Sequence, residues 1–262
     1  MPRKSMGTGL QFEEVVTAVA CVGARVSGLL VFAPFFGSDA IAPRIKVGLA
    51  VLLTALLYPV CGPRAVSLTS GGMLCVMLGE ALIGLLIGLA IQFVFEAAEF
   101  AGQLMGVQVG FGLVNIIDPN TQVDTPVLGV LTQTLAMLLF LQMGVHRWLV
   151  RGLAASFSYL PPGTTLAGAE VTRQLVHAAA GIFVAGVQIV APALVATLLI
   201  DLLLGFLSKA SPQLPVLFLG LSVKSMVGMA VLALALRCWP AIFDRYFAAA
   251  IHASERLLQS TY

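Results

Sequence analysis

Long apolar runs separated by short polar breaks fill the chain, at 15–36, 45–60, 73–95, 127–150, 178–206 and 214–236. Most reach the roughly 20 residues that a helix needs to cross a bilayer core. The pattern predicts an all-α membrane protein of about six hydrophobic helices, some paired as hairpins, with no stretch left over for a soluble domain. Gly, Pro, Ser and Thr gather in the breaks, where they turn the chain. The segment 161–177 is the best internal boundary. It divides an N-terminal helical part (1–160) from a C-terminal hairpin with an amphipathic tail (178–262), all within one integral membrane unit. Pro192 lies in the middle of the fifth run, where a kink is expected.

The third helix is the unusual one. Its apolar pattern continues to Gly110, and a helix from Met73 to there measures roughly 55 Å at 1.5 Å per residue. Along its second half Gln92, Glu96, Glu99 and Gln103 recur at steps of four, three and four, which places them on one face. Beside that stripe Ala98, Gly102, Gly106 and Gly110 recur every four residues, a track on which another backbone can lie close. The helix then stops at Gly110-Phe111-Gly112. An apolar loop follows, ending in the turn signal Asp118-Pro119.

Two readings of the polar stripe stand side by side. It lines a wet path for ions or a moving chain, or it bonds to partner subunits; either removes the cost of unpaired polar groups in apolar surroundings. The glycine track tilts the balance toward packing. Arg25, near the middle of the first run, poses the same choice between a structural pair and a conduit or partner contact. A cation at mid-depth costs about 2.5–3.5 kcal/mol on insertion scales, so it is not idle. Glu80, early in the third helix, calls for a buried polar setting.

Composition narrows the function. Of the 262 residues, 59% are hydrophobic and 10% charged, and a net charge of +2 without a basic run argues against nucleic acid as a partner. The four cysteines are scattered with no C-x-x-C pair, and His146, His177 and His252 lack metal-ligand spacing. No H-E-x-x-H, G-x-S-x-G or phosphate-binding loop occurs, so neither catalysis nor a cofactor is expected. The first run carries Arg25 and has no small-residue cleavage site, so it is expected to stay. If all six runs cross, the distribution of Lys and Arg puts both termini in the cytoplasm.

Several blocks, in order, carry a resemblance: Arg25 with Ala33-Pro34-Phe35-Phe36-Gly37, then Ile41-Ala42-Pro43-Arg44-Ile45-Lys46. Gly79-Glu80 with Ile83-Gly84 comes next, followed by Ala101-Gly102 through Gln108-Val109-Gly110 and then Asp118-Pro119 with Pro126-Val127-Leu128. Leu135 to Phe140 with His146, and Gly205-Phe206-Leu207 through Ala210-Ser211-Pro212-Gln213-Leu214 to Leu219-Gly220, complete the series. Over nearly its whole length the chain resembles the FliR family of flagellar biosynthetic proteins, subunits of the type III export gate.

The resemblance implies a non-enzymatic subunit in the bacterial inner membrane, at the flagellar basal body. There it would join two other export-gate membrane proteins in a helical core that passes unfolded substrates. It implies that the first part looks like one partner and the last hairpin like the other. It also implies a core raised out of the lipid plane, with some runs buried as hairpins rather than crossing. The loop after the long helix would plug the closed pore, which assigns Phe111, Leu113, Val114, Asn115, Ile116 and Ile117 to the plug. Arg25, Glu80, the stripe, the glycine track, Asp118, Pro119, Asp201, Lys209, Pro212 and Gln213 become packing or partner contacts. Lys209 departs from the arginine that the family often has at the hairpin tip, and lysine lacks the planar fork for a bidentate contact. The injectisome counterpart shares these features, and the flagellar preference rests on resemblance alone. A rival of another class is a six-span transporter with Glu80, Glu96, Glu99 and Asp201 as proton or ion sites. It predicts internal repeats, and none is visible in the sequence.

Overall fold

The computed structural model describes residues 5–34, 41–61, 70–111, 127–162, 168–211, 213 and 216–259. Among them the chain forms α1 (Ser5–Phe32), α2 (Pro43–Cys61), α3 (Ser70–Val109), α4 (Val127–Gln142), α5 (Val145–Tyr159), α6 (Gly168–Ala210), α7 (Val216–Ala235) and α8 (Trp239–Gln259). No strand occurs among the described residues. The all-α membrane architecture and the long third helix are as the apolar pattern predicts.

The runs do not map one to one onto crossing helices. Among the described residues three stretches are long and apolar enough to cross, Val15–Phe32, Gly72–Val109 and Leu175–Ala210, or up to five if each of two bent pairs counts as one span. The expected fourth run, 127–150, is broken at Gly144, whose φ of 68° suits a residue without Cβ. Its 16-residue first part, α4, reaches about 24 Å, short of a bilayer core of about 30 Å. The sixth run ends at a turn over 236–238, and the tail then continues as α8. The fifth run begins earlier than its hydropathy suggests, because α6 takes in residues 168–177. It is continuous through Pro192.

Two compact units emerge. One comprises Met1–Phe93, Gly144–Ala178 and Phe247–Tyr262; the other comprises Val94–Met143 and Ala179–Tyr246. In the first, Val22, Val26 and Leu29 of α1, Ile83 and Ile87 of α3, and Leu153 and Phe157 of α5 are buried. Helix α1 lies hard against the first half of α3: a Cβ on Gly28 would overlap the Ala81 carbonyl, and one on Gly84 the Arg25 carbonyl. Small residues bring the two backbones into direct contact, as membrane helix pairs need when no water drives them together.

The second unit packs the far half of α3 against α4, α6 and α7. Phe95 meets Phe140 edge to face at 5.6 Å, and Phe100 meets Phe183 at 5.3 Å. Gly186 of α6 receives the Phe100 ring, and Gly228 of α7 receives Met105 and Val109. Trp239 and Phe243 of α8 are buried beside each other. Tyr246 donates its phenolic hydrogen to the Gln188 side chain of α6.

Candidate functional site

Helix α1 presents Arg25 to the interior because Cys21, Val22, Val26 and Leu29 recur on the same side. The guanidinium uses its whole fork. Nε donates to Glu80 Oε2 of α3 at 2.6 Å, Nη1 to Ser156 Oγ of α5 at 3.0 Å, and Nη2 to the Leu160 carbonyl at 3.0 Å. Its face lies 4.0 Å over the Phe157 ring. Ser156 passes its own hydroxyl hydrogen to the Leu153 carbonyl at 2.6 Å. One cation thus ties α1, α3 and the C-terminal end of α5 together, in a setting where every donor must find an acceptor. Arg25 and Glu80, which the sequence marks separately, meet here. Ser156 and Phe157 are not singled out in the sequence, where they sit unremarkably at the head of a break.

The small track on α3 divides into separate roles. Ala98 is fully buried, and a Cβ on Gly102 would overlap Thr132 Oγ1 and the Leu128 carbonyl of α4. Thr132 Oγ1 stands 2.8 Å from the Ala98 carbonyl and 2.9 Å from the Leu128 and Gly129 carbonyls, so a single hydroxyl hydrogen has three acceptors in reach. At Gly106 an added Cβ would meet only Leu128 Cβ, at an ordinary 4.0 Å. Gly110 is a helix terminator rather than a packing step. Its φ is 94°; its N–H donates to the Val107 carbonyl, and the Phe111 N–H donates to the Gly106 carbonyl at 2.9 Å. That is the paired closure of a left-handed helix end.

The polar stripe is graded. Gln92 and Glu96 are half-buried, and Gln103 is exposed. Glu99, also half-buried, accepts from Gln103 Nε2 on its own helix and from Gln133 Nε2 of α4, each at 3.1 Å. Gln108, one turn beyond, belongs to a second cluster. Lys224 Nζ of α7 donates to it at 3.1 Å and to Asp201 Oδ2 of α6 at 2.6 Å. Lys224 is not singled out in the sequence, although a charge inside the apolar run 214–236 is the same signal that marks Arg25.

Phe111 closes α3 with about half of its surface exposed. Leu113, Val114, Asn115, Ile116, Ile117, Asp118, Pro119 and Pro212 lie outside the described residues. Lys209 and Gln213 are exposed at the end of α6 and just beyond it. Among the described residues no three His, Cys, Asp or Glu side chains stand close enough to hold a metal ion. Arg25, Glu80, Glu99, Gln108, Gln133, Asp201 and Lys224 all bond across helices.

Comparison with known proteins gives this geometry a context. The profile of bacterial export proteins, family 1, matches residues 16–250. The flagellar biosynthetic protein FliR of Escherichia coli (strain K12) is 31% identical over 209 residues, covering 80% of each chain. That of Pectobacterium carotovorum subsp. carotovorum is 32% identical over 223 residues, 85% of each. That of Bacillus subtilis (strain 168) is 26% identical over 249 residues, 94% of this chain and 96% of its own.

Proposed function

This chain belongs to the bacterial export proteins, family 1, and we propose that it is a non-enzymatic subunit of the flagellar type III export gate. In this reading it sits in the bacterial inner membrane at the flagellar basal body. It assembles there with two other gate proteins and helps to form and close the conduit for unfolded flagellar proteins. Kinship across residues 16–250 carries the reading, because the match takes in most of the described residues of both compact units.

The geometry supports it in two ways. Leu198, Leu202, Leu203 and Phe206 of α6 and Met226 of α7 are exposed, an apolar area that needs lipid or partner helices against it. In contrast, Glu80 and Asp201, two of the acids a transporter would use, are held in ion pairs with Arg25 and Lys224. The division at 161–177 would separate a part that packs like one partner from a hairpin that packs like the other. Phe111 and residues 113–117 would plug the closed lumen, positioned by the Gly110 helix end. Gln92, Glu96, Gln103, Lys209 and Gln213 would face partners.

Deleting the gene in its host and scoring extracellular flagellin together with swimming tests the proposal. Loss of both, restored by the wild-type gene, is the expected result. Intact swimming with flagellin in the medium would remove the flagellar role.

A further inference from the structure

A groove of about 360 Å³ opens between α5 and α8, wholly within the first compact unit. Trp148, Arg151, Gly152 and Ala155 line it from α5, at steps of three, one and three that define one helix face. Ile251 and His252 line it from α8. The neighbouring face of α5 is the buried stripe of Leu149, Leu153 and Phe157, so the groove runs along the margin of the core.

Its lining combines two chemistries. Trp148, Ile251 and the small residues make an apolar trough, while Arg151 supplies a cation beside an imidazole. Helix α5 contains no acidic residue, and none of the described residues lining the groove is acidic; the acids of α8 are Asp244 and Glu255, neither of them among these. The other arginine of α5, Arg147, folds back over Gly144, with its Nη2 2.5 Å from where a Cβ would stand. That leaves Arg151 as the arginine of the groove. A tryptophan and an arginine one turn apart on an amphipathic helix suit the level of lipid headgroups.

We propose that this groove seats an anionic phospholipid, with the phosphate on Arg151 and the first methylenes against Trp148 and Ile251. A guanidinium matches phosphate geometry, and basic pockets beside membrane helices take acidic headgroups. Among the described residues no carboxylate lines the groove to hold a cation. An apolar trough has no use for a free phosphate ion, whereas a lipid satisfies both halves of the lining. The site does not depend on what the assembly exports.

The full-length protein in nanodiscs carrying brominated phosphatidylglycerol or brominated phosphatidylcholine tests this by tryptophan quenching. Of the two tryptophans, Trp148 is 38% exposed and Trp239 only 1%, so quenching reports on the groove. Phosphatidylglycerol is expected to quench several-fold more than phosphatidylcholine at equal mole fraction. R151Q should remove the difference with circular dichroism unchanged, R151K should keep part of it, and millimolar inorganic phosphate should not reverse it. Equal quenching of the wild-type protein by the two lipids overturns the proposal by itself, whatever the variants do. A preference that survives R151Q, or that free phosphate abolishes, also overturns it.

Discussion

Arg25 and Glu80 form an ion pair at 2.6 Å with 0% and 1% of their side chains exposed, joining α1 to α3. Two charges so far from water are tolerated only because the remaining guanidinium donors reach Ser156 and Leu160. Losing either partner leaves the other stranded, which typically costs about 3–5 kcal/mol. R25M or E80Q alone should therefore empty the membrane of folded protein, while R25M combined with E80M recovers much of it. Membrane-fraction abundance and melting in detergent measure both. Recovery absent from the double variant would mean that the pair does more than neutralise charge.

Gly79 and Gly84 lie on the same helix and should respond oppositely to one added methyl group. Nothing stands within 4 Å of a Cβ at Gly79, whereas at Gly84 it would run into the Arg25 carbonyl. G79A should be neutral or stabilising by about 0.5–1 kcal/mol from reduced chain entropy. G84A should separate α1 from α3 and abolish swimming. Equal tolerance of both substitutions would contradict the close approach.

Thr132 is the hinge of the α3–α4 contact. T132V keeps the shape and removes the hydroxyl, at an expected cost of about 1 kcal/mol. G102V forces the backbones apart and should cost several times more. Comparing their melting temperatures in one detergent ranks the two terms, and a reversed ranking would show that the hydrogen bond outweighs the packing.

Lys224 and Asp201 distinguish packing from ion transport. Their side chains are 15% and 45% exposed, so the pair is screened and contributes on the order of 1 kcal/mol. D201N should harm more than K224M, because it strips the less exposed partner of its counter-charge. The swap D201K with K224D should restore flagellin export. A transporter acid would not survive that swap, so export lost in it would favour an ion-handling role.

If Phe111 and Ile116–Ile117 stop the lumen, replacing all three with glycine should raise inner-membrane permeability to ions and small dyes without altering assembly. Unchanged permeability in a normally assembled gate would remove the plug assignment.

Hydropathy made the helices legible because burial in lipid writes itself as long apolar runs. Averaged over the run, it passed over the break at Gly144, although Gln142, His146 and Arg147 flank it. The glycine track was visible as a spacing, yet its members separated on structure: Gly102 sits under α4, Gly106 touches little and Gly110 ends the helix. Gly84 and Gly88, a four-residue step left unread in the sequence, bring α3 equally close to α1. Arg25 and Glu80 were each conspicuous as charges in apolar runs. Their pairing needed two helices brought side by side, which no local pattern encodes. Lys224 shows the same limit more sharply, since its partners lie 23 and 116 residues away.

The Arg25 cluster also sets a timetable for making the protein. Arg25 leaves the ribosome 55 residues before Glu80 and 131 before Ser156. At roughly 5–20 residues per second, the cation waits on the order of 3–11 s for its counter-charge and about 7–26 s for the serine hydroxyl. Until then α1 carries an uncompensated charge in its middle, so it must be held by the insertion machinery or stay near the water boundary. The first helix to be made is therefore among the last to settle.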